Sequence, residues 1–348
     1  MHGEGPIRPR RRPGSRQPGV RRGLRERGIS VFYSNPADAG IDADALQTLA
    51  SIYGDRATKL PPIAMVIAAY NEEGAVGPVV EKLPKTVCGL AAEVIVVADG
   101  CADATAKEAD AAGAVVCDVP VNRGQGAALR LGYRIAREGG AEYIVTTDAD
   151  GQYNPLEIES LLAPVIEGKA DFVTGSRRMG SEETKDPVRR AGVRFFASLV
   201  SLLTGQRISD TTFGLRAMRA EVTGAVQLEQ PQYQASELLI GVITHGYRVL
   251  EVPATIHRRT VGESKKGQNP LYGLHLPGLN NLFYGMRFAR VIYGTWWRER
   301  QRSRSSSSPS SRSDSVARAN GSGPGSVDAS ASSAAPGGSL TTDAAKRT

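Results

Sequence analysis

YIVTTDADGQYNP, residues 143–155, runs from an apolar, β-branched stretch into two aspartates one residue apart, then a glycine and a proline. Tyr143, Ile144 and Val145 with the two threonines read as a strand buried on both faces, as in a parallel sheet. Asp148 and Asp150 would then stand at the mouth of that strand. Two like charges so close repel one another, so the pair implies a positive species between them. The alternative is a solvent-exposed Asp-rich turn before a helix starting near Pro155.

Working outward, IAMVIAAY (63–70) and EVIVVAD (93–99) are two more short apolar runs rich in Val and Ile. Helical spacing fills the intervals at 76–83, 104–112 and 127–138. Strand and helix alternation of this kind predicts an α/β fold with a doubly wound, mostly parallel central sheet flanked by helices, whose ligands bind beyond the carboxyl ends of the strands. A short amphipathic helix is expected over 44–53, from Ala45, Leu46, Leu49, Ile52 and Tyr53.

Composition sets the outer limits. The 348 residues are 41% hydrophobic, ordinary for a globular protein, and the three cysteines form no metal-ligand spacing or disulfide framework. No apolar run reaches the length of a membrane span and no secretory leader is read, so a cytoplasmic chain, soluble or peripheral on the cytoplasmic face of the membrane, is expected. Nine arginines against Glu4 and Glu26 give residues 1–30 a charge of +7, equal to that of the whole chain. That arm either attracts anionic lipid or nucleic acid or acts as a solubilising leader. The expected organisation is a basic disordered arm (1–40), one catalytic domain (41–272), an aromatic and basic amphipathic helical segment (273–300) and a disordered Ser/Gly-rich tail (301–348). The helical segment suits a bilayer interface, or packing on the catalytic domain or a partner.

Polar residues cluster after each strand: Asn71 and Glu72, then Asp99 and Asp103, then Asp148 and Asp150. Singly, each is explained by turns and helix caps. Together they converge on one edge. Asp148 and Asp150, with the Gln152 carboxamide, make a hard oxygen cluster suited to Mg²⁺ or Mn²⁺ shared with a diphosphate. In NRGQGAALRLGY (122–133), Gly124 and Gly126 before a helix could bring backbone N–H groups to a phosphate, although an ordinary loop entering a helix explains them as well.

Seven segments in order, VIAAYNEE, VIVVADGCADAT, NRGQGAALRLGY, DADGQYNP, ADFVTGSRR, SDTTFGLRA and RRTVGESKK, resemble the family 2 glycosyltransferases, and within them the polyprenyl-phosphate (dolichyl-phosphate) hexosyltransferases. The resemblance implies a glycosyltransferase A-type fold, a GDP- or UDP-linked sugar donor, a divalent metal and inversion at the anomeric carbon. Carried over by position, Ala69, Tyr70, Glu72, Asp99 and Gly126 would bind the donor with Asp148, Asp150 and Gln152, the last three also holding the metal. Arg177, Arg189, Arg259, Ser264 and Lys265 would face the acceptor phosphate, and Asp150, Arg177, Arg259 and Asp210 make up the expected catalytic set. Ala98 stands where the family has a second acid, which leaves the nucleobase open.

Charge alone supports the arginines, because a phosphate acceptor facing a nucleoside diphosphate needs cations to suppress repulsion. An ionised phosphate needs no general base, whereas a hydroxyl acceptor would, with Asp210 or Glu237 as candidates. The expected partners are therefore a nucleotide sugar and a polyprenyl phosphate or other small acceptor, with a membrane surface or membrane-protein partner; nucleic acid is not expected. The alternatives are a relative acting on a soluble or secondary-metabolite hydroxyl, and a non-catalytic lipid or nucleic-acid binding protein.

Overall fold

The computed structural model describes residues 37–183, 187–259 and 277–306. The described residues up to 303 form one compact unit; nearly all of 304–348 lies outside the described residues. Of the expected arm (1–40) and tail (301–348), only residues 37–40 and 301–306 are described, and both stretches are helical; the rest lies outside the described residues.

Eight strands form one sheet: β1 (Ile63–Ala69), β2 (Thr86–Val87), β3 (Leu90–Asp99), β4 (Val115–Val119), β5 (Tyr143–Asp148), β6 (Phe172–Glu182), β7 (Arg216–Arg219) and β8 (Val249–Ile256). Their order is β3-β1-β5-β7-β6-β8, with β2 and β4 both pairing with β3. β4, β3, β1 and β5 run parallel, β7 is antiparallel to both its neighbours, and β8 is parallel to β6. The three strands read from the sequence are therefore adjacent, and their polar ends share one rim.

Both faces of the sheet are buried, which explains the unbroken apolar runs. Along β1, Ile63, Met65 and Ile67 point into one core with α3 (Val76–Lys82), α4 (Thr105–Ala111) and α6 (Ile158–Ile166). Ala64 and Val66 point into the other, with α1 (Ala37–Tyr53), α5 (Gln125–Glu138), α7 (Pro187–Thr204), α9 (Gln234–Thr244) and α10 (Pro277–Ser306). A short helix, α2 (Asp55–Thr58), follows α1, and another, α8 (Val222–Ala225), follows β7. Gly132 lets α5 lie against β1, since a Cβ there would stand 2.4 Å from a Val66 methyl. At Pro155 a single 3-10 turn (Pro155–Glu157) capped by Asn154 leads into α6, as its sequence predicts.

α1 begins seven residues before the apolar pattern that predicts it. Its inward stripe continues backwards from Leu49 and Ala45 through Asp42 and Asp38, both buried carboxylates that a hydrophobic reading counts as surface. Each has an arginine partner: Asp38 pairs with Arg130 at 2.9 Å and Asp42 with Arg123 at 2.7 Å. Removing one member of a buried pair strands the other charge, at a cost of about 3–5 kcal/mol. Asp42→Ala is therefore expected to lower the unfolding free energy by about 3 kcal/mol, read by denaturant titration. Asp55→Ala, which breaks a solvent-exposed pair with Lys59, should leave the curve unchanged.

Candidate active site

The loops after β1 and β3 are stitched together before any ligand is considered. The Glu72 N–H donates to the Thr105 hydroxyl at 2.8 Å, the Ala102 N–H to Asn71 Oδ1 at 2.7 Å, and the Gly74 N–H to Glu108 at 2.7 Å. Asn71 takes a left-handed conformation (φ 51°) to make this turn. Asp103 accepts the Thr105 N–H at 3.1 Å and the Glu73 N–H at 3.3 Å, which makes it a cap. Ala69 ends β1 in the core and Tyr70, 41% exposed, opens the rim.

Asp148 and Asp150 stand at the carboxyl end of β5, as the strand reading requires. Asp150 has a cationic partner within the chain: Arg259 Nη2 donates to Asp150 at 2.9 Å and Nη1 reaches Glu72 at 3.3 Å. Burial and the neighbouring Asp148 charge push the Asp150 carboxyl up to about 6, with Arg259 opposing them. Asp148 is steered separately, by the Gln125 amide at 3.1 Å. Beneath it, Gly214 donates its N–H to the Tyr153 hydroxyl at 2.8 Å, and a Cβ on Gly214 would stand 2.7 Å from an Asp148 oxygen. Gln125, Gly214 and Tyr153 were not singled out by the sequence reading. The available signal was a glycine following TTF in SDTTFGLRA, where only a missing side chain permits the approach.

Gln152 faces both ways. Its N–H donates to Asp150 at 3.1 Å, while its side-chain amide donates to the His257 carbonyl at 3.0 Å and so ties the acidic loop to the chain leaving β8. Beside Asp148, a cavity of about 200 Å³ opens between α3 and the start of α6, lined by Pro78, Val79, Thr147, Tyr153, Ile158 and His257 among others.

Four expected site residues are otherwise engaged. Asp99 is 2% exposed and its carboxylate receives the Arg123 and Gly124 N–H groups at 2.8 Å each, so it holds the loop before α5. Burial raises its pKa above the ordinary carboxylate value, against the pull of those donors. Gly126 directs its N–H to the Pro231 carbonyl at 3.4 Å, and a Cβ there would meet the Gln230 oxygen at 2.0 Å. The glycines there admit a neighbouring loop. Asp210 is buried and its two oxygens serve Arg177 Nε at 2.7 Å and the Thr212 N–H at 3.0 Å. Arg177, equally enclosed, spends its remaining reach on Thr212 and, at 3.6 Å, Glu182. Glu237, also considered as a base, is fully buried and accepts the Glu229 and Gln230 N–H groups at 3.0 Å and Arg298 at 2.8 Å.

Arg189 is exposed at the start of α7, within 3.7 Å of Glu182. Ser264 and Lys265 lie outside the described residues.

A carboxyl whose folded pKa is raised contributes stability below its unfolded value that is lost as pH rises through the folded value. For Asp150 that window runs from 3.8 to about 6. In the metal-free protein, Asp150→Asn should therefore gain on the wild type by roughly 2–3 kcal/mol between acid and neutral pH. Paired denaturation curves across that range test the sign.

Comparison with known proteins agrees with this geometry. Residues 64–226 match Glycosyl transferase family 2. The dolichyl-phosphate hexose transferase of Haloferax volcanii is 34% identical over 208 residues, 58% of this chain and 86% of that protein. The undecaprenyl-phosphate mannosyltransferase of Micrococcus luteus is 32% identical, over 58% of this chain and 86% of that protein. Among solved structures, the glucosyl-3-phosphoglycerate synthase of Mycobacterium tuberculosis in complex with Mn²⁺, UDP and phosphoglyceric acid superposes with a TM-score of 0.51 at 19% identity, covering 72% of this chain and 82% of that one. The fold, the acidic pair at the rim of β5 and the relatives agree: the chain belongs to glycosyl transferase family 2 and is a glycosyltransferase with the glycosyltransferase A-type fold.

Proposed function

We propose that the chain moves a hexose from a nucleoside diphosphate sugar to a polyprenyl phosphate. The observation that carries the acceptor class is the state of the two carboxylates a hydroxyl acceptor would need. Asp210 and Glu237 are both buried and fully hydrogen bonded within the chain, so neither is free to take a proton. A phosphate acceptor, already ionised near neutral pH, needs no such group. The names of the Haloferax and Micrococcus relatives support the same reading.

The acidic pair fits a divalent ion that arrives with the donor. Asp148 and Asp150 concentrate negative charge at the rim: burial first, and then the Asp148 charge, raise the Asp150 carboxyl. Among the described residues no group of three or more His, Cys, Asp and Glu could hold an ion alone. Asp148 and Asp150 would hold it, with donor phosphate oxygens completing the shell. When bound, the ion offsets charge building on the departing nucleoside diphosphate. The chain's own residues do the rest. Gln125 and Gly214 fix Asp148, Tyr70 offers a surface to the nucleoside, and Arg259 with Arg189 offers cations to the phosphates. Gln152 braces the loop and its carboxamide oxygen completes the proposed metal set, while Ser264 and Lys265 remain proposed for the acceptor phosphate.

A hydroxyl acceptor retains one specific support, the His257 ring at the cavity wall with Nδ1 2.9 Å from Glu183. His257→Gln separates the two readings: transfer to a polyprenyl phosphate should survive it, and transfer to an alcohol should not.

With radiolabelled nucleotide hexoses and polyprenyl phosphate, the product should be organic-extractable and labile to mild acid. EDTA should abolish its formation, and Asp150→Ala should reduce it by at least about 10³-fold. Gly214→Ala, which displaces Asp148 without altering a charge, should cost roughly 10²-fold. Transfer undiminished in EDTA would remove the metal from the account, and failure of every nucleotide hexose to label lipid would remove the acceptor.

A further inference from the structure

The outer faces of α7 and α10 carry a pattern that the catalytic rim does not use. Along α7, Val188, Phe195 and Leu202 recur at seven-residue intervals, and along α10 Met286, Tyr293 and Trp297 share one face; all six are between 50% and 81% exposed. Arg190 and Arg194 flank the first stripe, and Arg287, Arg290 and Arg300 the second, all exposed. α7 contains no acid, and the one acid in α10, Glu299, is fully buried against His245, Arg298 and Arg302. The two helices pack together through Phe196 on Phe288, with ring centroids 4.3 Å apart. The pair therefore presents apolar and aromatic groups set among arginines, with no exposed carboxylate on either helix among the described residues.

We infer that this two-helix face docks on the interface of an anionic lipid bilayer. Aromatic rings and long aliphatic side chains partition into the headgroup boundary, while arginines gain from the negative surface potential. No helix of the described residues is long and apolar enough to cross a membrane, so attachment through them would be to a surface. The position of the face suits the purpose. α7 starts beside Glu182 at the end of β6, where Arg189 and Arg190 lie 3.7 and 3.6 Å from the carboxylate that Arg177 also approaches. The surface thus borders the side of the rim assigned to the acceptor. At its other end, Arg298 clamps α10 to Glu237 and Glu229, which keeps the helix fixed on the domain.

The inference gives the proposed lipid-linked acceptor a place to be met, and rests on that reading for its purpose. Its test uses neither donor nor acceptor, so it can fail or succeed without the transfer assay. The chain's two tryptophans, Trp296 and Trp297, both lie on α10 and report directly. The full chain is mixed with vesicles of phosphatidylcholine alone, or with phosphatidylglycerol in equal parts. Binding to the anionic vesicles is expected, weakened by salt, with a blue shift of tryptophan emission and quenching by brominated lipid. Phe195→Ser with Trp297→Ser, and separately Arg287→Glu with Arg290→Glu, should each weaken binding at least about tenfold while leaving the melting temperature unchanged.

Absence of wild-type binding would overturn the inference. So would binding that persists at full strength in both variants, which would move the contact to the basic arm. A dimer that the serine variant dissociates, without vesicle binding, would make the face a self-association surface instead.

Discussion

Two carboxylates held at the end of a buried strand set the terms for much of this molecule. Asp148 and Asp150 repel one another, and Asp150 is removed from water, so the fold has to supply compensation from elsewhere. It does so from three directions: Arg259 beyond β8, Gln125 at the start of α5, and the backbone of Gln152 within the acidic loop. Each neighbour is itself held by a further contact. The loop that carries Gln125 hangs from Asp99, and Arg123 in the same loop reaches Asp42 on α1. Gly126 packs on the Gln230–Pro231 turn, which Glu237 and Arg298 fix in turn. A contiguous series of polar contacts therefore joins both α1 and α10, which lie outside the matched family segment, to the acidic rim.

This arrangement gives carboxylates two different uses within one domain. Asp99, Asp210 and Glu237 receive backbone N–H groups and pair with arginines, so they shape loops and have little capacity left for a ligand. Asp150 and Glu72 share Arg259, which is partly exposed. A cation so placed can exchange partners when a charged ligand enters, whereas the enclosed pairs cannot without a cost of several kcal/mol. The division separates acids filled by backbone donors from acids that share one partly exposed cation, and sequence spacing alone does not draw it.

The three parallel strands β1, β3 and β5 were legible because both faces of the sheet are buried, so the apolar runs have no polar interruptions. The helix start near Pro155 was legible from the proline itself. α1 was read short because Asp38 and Asp42 occupy inward positions, where neutralisation by Arg130 and Arg123 comes from residues 81 or more positions away. At Gly126 the sequence left a phosphate and an ordinary loop both open, because a glycine permits close approach without naming what approaches; the Gln230 carbonyl is one such neighbour. Asp210 and Glu237 looked available as bases because sequence shows a carboxylate but not the donors that fill it. Arg259 was identified by resemblance, yet its partnership with both Glu72 and Asp150 depends on the β8 end meeting the β1 and β5 ends across the rim.

The central claim is that the acidic pair and a nucleoside diphosphate bind a divalent ion jointly. Electron paramagnetic resonance of Mn²⁺ tests it without any transfer reaction. Free Mn²⁺ signal should fall little on adding the protein alone, sharply on adding protein with GDP or UDP beyond what the nucleotide alone removes, and not in this way with Asp150→Ala. Equal Mn²⁺ uptake with and without nucleotide, or nucleotide binding indifferent to Mn²⁺, would contradict it.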